Sequence, residues 1–172
     1  MTAPILIFGY GNPSRGDDAL GPAFLERIDA LRTVHPEWPG VELLTDFQLQ
    51  VEHVLDMKGR EFVLFVDAHA TTRPPFSCER ICPSASLAYT THAMTPAELL
   101  HLYARVVGSQ PPPSFLLGIR GEHFELGEPV SDAAAHNLEC AVVFTAELLG
   151  RRDTELWFEP FNSQSGQCIS LP

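Results

Sequence analysis

The stretch Ile5-Leu6-Ile7-Phe8-Gly9-Tyr10-Gly11-Asn12-Pro13-Ser14-Arg15-Gly16-Asp17-Asp18 decides the fold of this protein. Its four leading apolar residues run into a cluster of turn formers, as a fully buried strand does where it leaves a sheet. Beyond Asp18, apolar residues recur at the spacing of a helix, at Leu20, Phe24, Ile28 and Leu31. The stretch therefore predicts a strand, a loop and a helix, the opening unit of an α/β sheet.

The rest of the sequence repeats this alternation. Apolar runs predict further strands at 41–44, at 62–66 (ending at Asp67) and at 115–119, and helical patterns predict a short helix over 49–57, a helix opened by a capping box at Thr95 and a long helix from Ser131 to near Gly150. Residues 70–91, rich in Thr, Pro and Ser, predict a long irregular excursion that is extended in places.

Continuously apolar strands that alternate with helices indicate a sheet covered on both faces. We therefore expect an α/β fold: a single doubly wound domain over residues 1–150, with a mainly parallel twisted sheet and helices on both faces. Residues 151–172 form a C-terminal tail to which the sequence assigns no structure.

Composition excludes several classes of function. The 172 residues are 45% hydrophobic and 19% charged, which is globular rather than disordered composition. The net charge of -11 argues against nucleic acid as a partner. The sequence has no apolar run of the ~18 residues that span a bilayer and no signal-peptide pattern, so we expect no membrane contact and a cytoplasmic location. The four cysteines, at 78, 82, 140 and 168, predict ordinary thiols rather than a zinc site.

The first loop does not fit either common nucleotide-binding motif. A dinucleotide fingerprint needs a glycine where Ser14 stands, and a P-loop laid on residues 11–18 places Asp17 and Asp18 at its lysine and hydroxyl positions. Two carboxylates at a helix N-terminus repel a phosphate. A nucleotide-binding module is therefore a weak alternative.

Acidic residues instead collect at predicted strand ends, where α/β sheets bind their ligands. Either Asp17 or Asp18 can cap the following helix, but one cap suffices, so the pair leaves a carboxylate free to point into the crevice. Asp67 follows the third predicted strand; on its own it can equally bond to the loop backbone. If the strand order is the common 2-1-3-4-5, the first and third strands are neighbours and these carboxylates share one crevice.

A histidine completes a set suited to a divalent transition metal ion. His92 lies in the loop before the Thr95 helix, so Asp18, Asp67 and His92 offer two oxygens and one imidazole nitrogen. His69 is a competing ligand that spacing alone does not exclude. The sequence contains no H-E-x-x-H, no G-x-S-x-G and no motif that pairs a cysteine with a histidine, so a standard nucleophilic hydrolase is unsupported.

These residues resemble the hydrogenase maturation peptidases, which trim the C-terminus of the large subunit of [NiFe] hydrogenases. The resemblance rests on G-x-G-N-x-x-x-x-D-[DE]-x-x-G at 9–21, on Val66-Asp67-Ala68, on a histidine (His92) before a leucine-rich helix, and on G-I-x-x-x-x-x-E-x-G-x-x-[LV]-S at 118–131. It covers about residues 4 to 150.

The resemblance implies an endopeptidase that acts once on each nickel-loaded large-subunit precursor and cuts after a basic residue. The metal-contacting and catalytic residues of that family fall on Asp18, Asp67 and His92, with nickel supplied inside the precursor substrate. Two departures stand out: Asp18 replaces a frequent glutamate, and residues 46–53 replace a glycine-threonine segment. The amino-acid sequences of residues 12–18 and 46–53 resemble those of the branch of the family that serves NAD-coupled cytoplasmic hydrogenases. The alternative is a metal-sensing chaperone that binds the immature large subunit without cutting it.

Overall fold

The computed structural model describes residues 1–85 and 93–151 of the chain. Their strands are β1 (Ile5–Tyr10), β2 (Val41–Asp46), β3 (Phe62–His69), β4 (Phe76–Arg80) and β5 (Ser114–Arg120). Their α-helices are α1 (Leu20–Val34), α2 (Pro96–Val107) and α3 (Asp132–Gly150), and Gly16–Ala19 and Val51–Val54 form short 3-10 turns.

The five strands form one sheet in the order β2-β1-β3-β5-β4. β1 pairs in parallel with β2 on one side and with β3 on the other, β3 pairs in parallel with β5, and β4 runs antiparallel to β5 at the edge. The expected α/β fold with a mainly parallel sheet is confirmed. Strands one and three are neighbours, so strand order reverses between them, at the point where α/β proteins bind their ligands.

Alternate residues of each strand serve two separate apolar clusters. On β3, Leu64 and Val66 join the cluster covered by α1 and α3, whereas Val63 and Phe65 join the cluster covered by α2. The helices thus lie on both faces, as expected. Because side chains alternate along a strand, Asp67 belongs to the α2 face.

Two of the four helix predictions hold closely at their starts, because capping fixes them. The Thr95 hydroxyl accepts the N–H of Glu98, whose carboxylate in turn accepts the N–H of Thr95, and α2 begins at the next residue. Ser131 accepts the N–H of Ala134 at the start of α3. No structure of residues 152–172 is described, so the expected tail lies outside the described residues except for Arg151.

The predicted helix over 49–57 is wrong. Only Val51–Val54 turn, as a 3-10 helix, and Leu49 instead forms an isolated bridge with Met94. Leu49, Val54 and Met57 are buried at nearly helical spacing, but the bridge from Leu49 to Met94 and the extended backbone of Gln50 keep the start of the segment out of a helix.

The described part of the excursion, residues 70–85, contains the strand β4, in line with the expectation that it is extended in places, although the sequence did not locate the strand. β4 pairs with β5 and turns Phe76 and Cys78 into the core. Two inward residues are too few for a period-2 pattern to stand out among threonines, serines and prolines. β3 also continues beyond Asp67, to His69.

Glycines let the first loop pack closely against α1. A side chain on Gly9 would place its Cβ 2.5 Å from the carbonyl oxygen of Gly21, and one on Gly21 would lie 2.3 Å from that of Tyr10. The glycines at these positions therefore let α1 pack closely on the end of β1. Within the described part of the chain, no helix has the length and apolar character needed to cross a membrane.

Candidate functional site

Asp18 and Asp67 come together at the carboxyl ends of β1 and β3. Gly9 pairs with Val66 in the parallel register, so Asp67 lies at the level of Tyr10, where β1 ends. Asp18 lies in the 3-10 turn of the loop that follows β1. Its negative charge contributes to raising the pKa of Asp67. Adjacent strands one and three thus bring these two carboxylates close enough for the charge of Asp18 to act on Asp67.

Asp67 occupies an environment that favours its protonated form. Burial raises the pKa of Asp67 to about 7, with a further increase from the charge of Asp18, while hydrogen bonds from the Ala68 backbone and the Tyr10 hydroxyl act in the opposite direction. A carboxyl group with such a pKa is present in both protonation states near neutrality. It is therefore suited to give or take a proton during a reaction.

Tyr10 is a site residue that the sequence analysis missed. Its hydroxyl is a hydrogen-bond donor to Asp67, and burial together with the Asp67 charge raises its pKa far above the usual value. The group therefore stays a neutral donor under all ordinary conditions. The signal was present in the sequence: Tyr10 follows Phe8 by two residues, so strand alternation places it on the α2 face with Asp67.

Asp18 is held by the loop that wraps around it. Its Oδ2 atom accepts the N–H of Asn12 at 2.8 Å. The loop approaches so closely that a Cβ on Gly11, whose φ is +140°, would lie 2.1 Å from the Asp18 carbonyl oxygen. Only glycine fits this position without displacing the loop. The contact with Asn12 fixes Oδ2, and among the described residues Oδ1 accepts no hydrogen bond.

Asp17 does not share the crevice, contrary to the expectation that the acidic residues of the loop gather there. It is fully buried and accepts four hydrogen bonds from the chain between β5 and α3. Nor does either aspartate cap α1, whose N-cap residue is Ala19. The adjacent acids thus have separate roles: Asp17 is internal and Asp18 faces the site.

His69 is poorly suited to bind a metal ion. Its Nδ1 atom accepts the backbone N–H groups of Thr71 at 3.3 Å and Thr72 at 3.0 Å. A neutral imidazole with Nδ1 as acceptor carries its proton on Nε2, which then has no lone pair to donate to a metal. The geometry therefore weighs against the competing ligand that spacing alone left open.

His92 lies outside the described residues. Its neighbour in sequence, Ala93, lines a cavity of about 510 Å³ that also contains Tyr10 and Asp67. Within residues 1–85 and 93–151, no three His, Cys, Asp or Glu side chains gather as a metal site. Any ion held by Asp18 and Asp67 therefore needs ligands beyond that part of the chain.

The cavity is mostly apolar away from the carboxylates. Its further walls come from the end of β4, from β5 and from the start of α2, and include Ile81, Cys82, Met94, Pro96 and Leu116. Glu79, Arg80 and Thr95 also line the cavity, so polar groups are present beyond Asp67 and Tyr10. A mostly apolar cavity with a few polar groups is typical of a ligand-binding site.

Comparison with known proteins gives structural relatives only. No family model matches the sequence, and no curated protein matches it. Among solved structures, a [NiFe] hydrogenase maturation protease HycI from Thermococcus kodakarensis is 24% identical, with a TM-score of 0.64, over 87% of this chain and 94% of its own.

Two further structures are similar. The hydrogenase maturating endopeptidase HybD from E. coli is 22% identical, with a TM-score of 0.62, over 84% of this chain and 91% of its own. A hydrogenase 2 maturation peptidase from a Thaumarchaeota archaeon is 22% identical, with a TM-score of 0.59, over 85% and 97%. At these identities the likeness establishes the fold. The chain has the α/β fold found in these hydrogenase maturation proteases.

Proposed function

We propose that this protein is an endopeptidase that removes the C-terminal extension of a nickel-loaded [NiFe] hydrogenase large-subunit precursor. The observation that carries the proposal is the meeting of Asp18 and Asp67 at the strand-order reversal of the sheet. The fold shared with hydrogenase maturation proteases supports it independently of the site.

The proposed role of the carboxylates is to complete the coordination of nickel that arrives inside the precursor. Asp18 offers Oδ1 and Asp67 its carboxylate, two hard oxygen donors, and His92 supplies an imidazole nitrogen. A set with two carboxylates and one imidazole leaves positions for ligands from the substrate. A metal ion held in this way would polarise a peptide carbonyl or a bound water.

We assign proton transfer to Asp67 when its carboxylate does not bind the metal ion. Its half-buried carboxyl and the Tyr10 donor place an acid or base at the mouth of the apolar groove. The groove then holds the chain that leaves. In this proposal Asp67 and Tyr10 take part in the reaction and the apolar residues of the wall bind the peptide.

The proposed cognate enzyme is an NAD-coupled hydrogenase. Support comes from residues 12–18 and from Asp46-Phe47-Gln48-Leu49-Gln50-Val51-Glu52-His53, which resemble that branch of the family. In the structure the latter segment borders the site, since the Asp46 carbonyl accepts the N–H of Gly11 at 3.1 Å. A difference in this segment is therefore in position to affect which precursor is accepted.

The deciding experiment incubates the purified protein with nickel-loaded and nickel-free large-subunit precursor and weighs the products by mass spectrometry. We expect loss of a C-terminal peptide from the nickel-loaded form only. An intact precursor in a stable complex would instead show a metal-sensing chaperone. Cleavage of both forms at equal rates would overturn the role of nickel while keeping the peptidase. Precursors from NAD-coupled and membrane-bound hydrogenases, offered in parallel, test the branch assignment.

A further inference from the structure

The buried carboxylate of Asp17 has no cation beside it in the described structure and is matched entirely by hydrogen-bond donors. Its Oδ2 atom accepts the N–H groups of Glu122 at 2.8 Å and His123 at 3.0 Å and the hydroxyl of Ser131 at 2.9 Å. Its Oδ1 atom accepts the N–H of Ser131 at 2.7 Å. A buried charge is stable only when satisfied in this way.

The backbone around Asp17 is tied to the same segment. The N–H of Asp17 donates to the carbonyl of His123 at 2.7 Å, and that of Gly16 donates to Glu128 at 3.1 Å. In the reverse direction, the N–H of Gly127 donates to Ser14 at 2.8 Å. The turn of the first loop and the chain from 122 to 131 are therefore locked together by main-chain and side-chain bonds at once.

Asp17 also connects these hydrogen bonds to helix α3. Ser131, which donates two bonds to Asp17, is the N-cap of α3 and accepts the N–H of Ala134 at 3.2 Å. The start of a helix favours a nearby negative charge. α3 packs on the far face of the sheet from the cavity, so it supplies a rigid support that is itself remote from the site.

The next residue along the turn is Asp18, the carboxylate that faces Asp67. The Cα atoms of Asp17 and Asp18 lie on one planar peptide unit, so a displacement of Asp17 is passed to the backbone of Asp18. We infer that Asp17 is a positioning residue: its carboxylate anchors the turn to the 122–131 segment and to α3 and thereby fixes where Asp18 stands in the site. This inference rests on the proposed function for its catalytic readout but not for its structural one.

A buried anchor of this kind differs from a purely structural hydrogen bond. Its loss displaces a reacting group, so the rate of cleavage falls more than the affinity for the precursor does. Loss of an equally stabilising contact elsewhere in α3 leaves both unchanged at a temperature where the protein is folded.

The test compares Asp17→Asn with Val142→Ala, a substitution at a buried position of α3 that lowers stability without contacting the turn. With nickel-loaded precursor, below both melting temperatures, we expect kcat to fall about 10- to 100-fold in Asp17→Asn with KM within about 2-fold of wild type. Val142→Ala should retain the wild-type kcat. Equal kcat in wild type and a folded Asp17→Asn would overturn the inference.

A second measurement does not depend on cleavage. Hydrogen–deuterium exchange of the peptide spanning residues 12–19 should be faster in Asp17→Asn than in Val142→Ala, with exchange in β3 unchanged. If Asp17→Asn does not fold, Ser131→Ala takes its place, because it removes one donor and keeps three. No increase in exchange in the folded variant would sink the inference. If the wild-type protein cuts no precursor but the two variants show this difference in exchange, the proposed function is contradicted and the role of Asp17 as an anchor stands.

Discussion

The hydroxyl of Tyr10 is a hydrogen-bond donor to the carboxylate of Asp67 across the seam between β1 and β3. Both side chains line the same cavity. The pair brings together a permanent donor and a carboxyl group that titrates near neutrality. It therefore orients Asp67 without competing with it for a proton.

Tyr10→Phe should slow cleavage by about 10-fold while the protein stays folded, because Asp67 loses a bond that orients its carboxylate. The measurement is the rate of precursor cleavage beside circular dichroism. Tyr103→Phe, a substitution of a buried tyrosine in α2, is the matched control and should retain the wild-type rate. Equal slowing in both variants would remove the Tyr10–Asp67 bond from the mechanism.

Asp67→Asn should abolish cleavage and stabilise the fold at neutral pH. The pKa of Asp67 is raised to about 7 when folded, chiefly by burial, so its ionisation above the unfolded pKa of about 4 disfavours the folded state. That penalty grows as pH rises to about 7 and then stays constant. Asparagine has no such penalty.

We therefore expect Asp67→Asn to exceed wild type in free energy of unfolding by about 1–3 kcal/mol at pH 8, with the difference shrinking toward pH 4. Urea unfolding at each pH measures it. Glu26→Gln, at an exposed position of α1, is the control for loss of one negative charge and should show no such trend. A lower stability for Asp67→Asn at pH 8 would mean that Asp67 is stabilised by partners rather than strained by burial.

Asp17 should contribute stability of the opposite pH dependence. Burial acts to raise its pKa, but the bonds from Glu122, Ser131 and His123 prevail and hold it below the usual value. A lowered folded pKa gives stability that is present above the unfolded pKa of about 4 and is lost as pH falls through the folded value. The difference in stability between wild type and Asp17→Asn should therefore shrink as pH falls from 6 to 3, as measured by thermal unfolding. If the difference in melting temperature between wild type and Asp17→Asn stays constant over this range, the hydrogen bonds to Asp17 do not depend on its negative charge.

Whether a feature of this structure could be predicted from the sequence depends on how far apart in the chain the interacting residues lie. The strand at 5–8, the capping box at Thr95 and the helix after Ser131 are set by neighbours a few residues apart, and their patterns identify them. The proximity of Asp18 to Asp67 also followed, because strand ends in a parallel sheet share an edge. It required only the order of two strands.

The separation of Asp17 from Asp18 was not readable in this way. Asp17 is bound by donors more than 100 residues away in the chain, and no local pattern reports such a contact. The edge strand β4 was missed for a related reason, since its pairing with β5 depends on a partner that begins more than 30 residues later. Tyr10 was missed for a different reason: the apolar run that predicted the first strand ends at Phe8, whereas β1 continues through Gly9 to Tyr10.

Substitutions of the two candidate histidines are expected to have opposite effects on cleavage. His92→Ala should abolish cleavage if its imidazole binds the incoming nickel, whereas His69→Ala should retain cleavage, because His69 accepts the N–H groups of Thr71 and Thr72 and has no lone pair left for a metal. His69→Ala should instead lower stability by about 1–2 kcal/mol, as two N–H groups lose their acceptor. His101→Ala in α2 is the control for loss of a histidine remote from these bonds. Cleavage assays with nickel-loaded precursor and urea unfolding separate the two effects, and loss of cleavage in His69→Ala with wild-type activity in His92→Ala would reverse the assignment of the metal ligand.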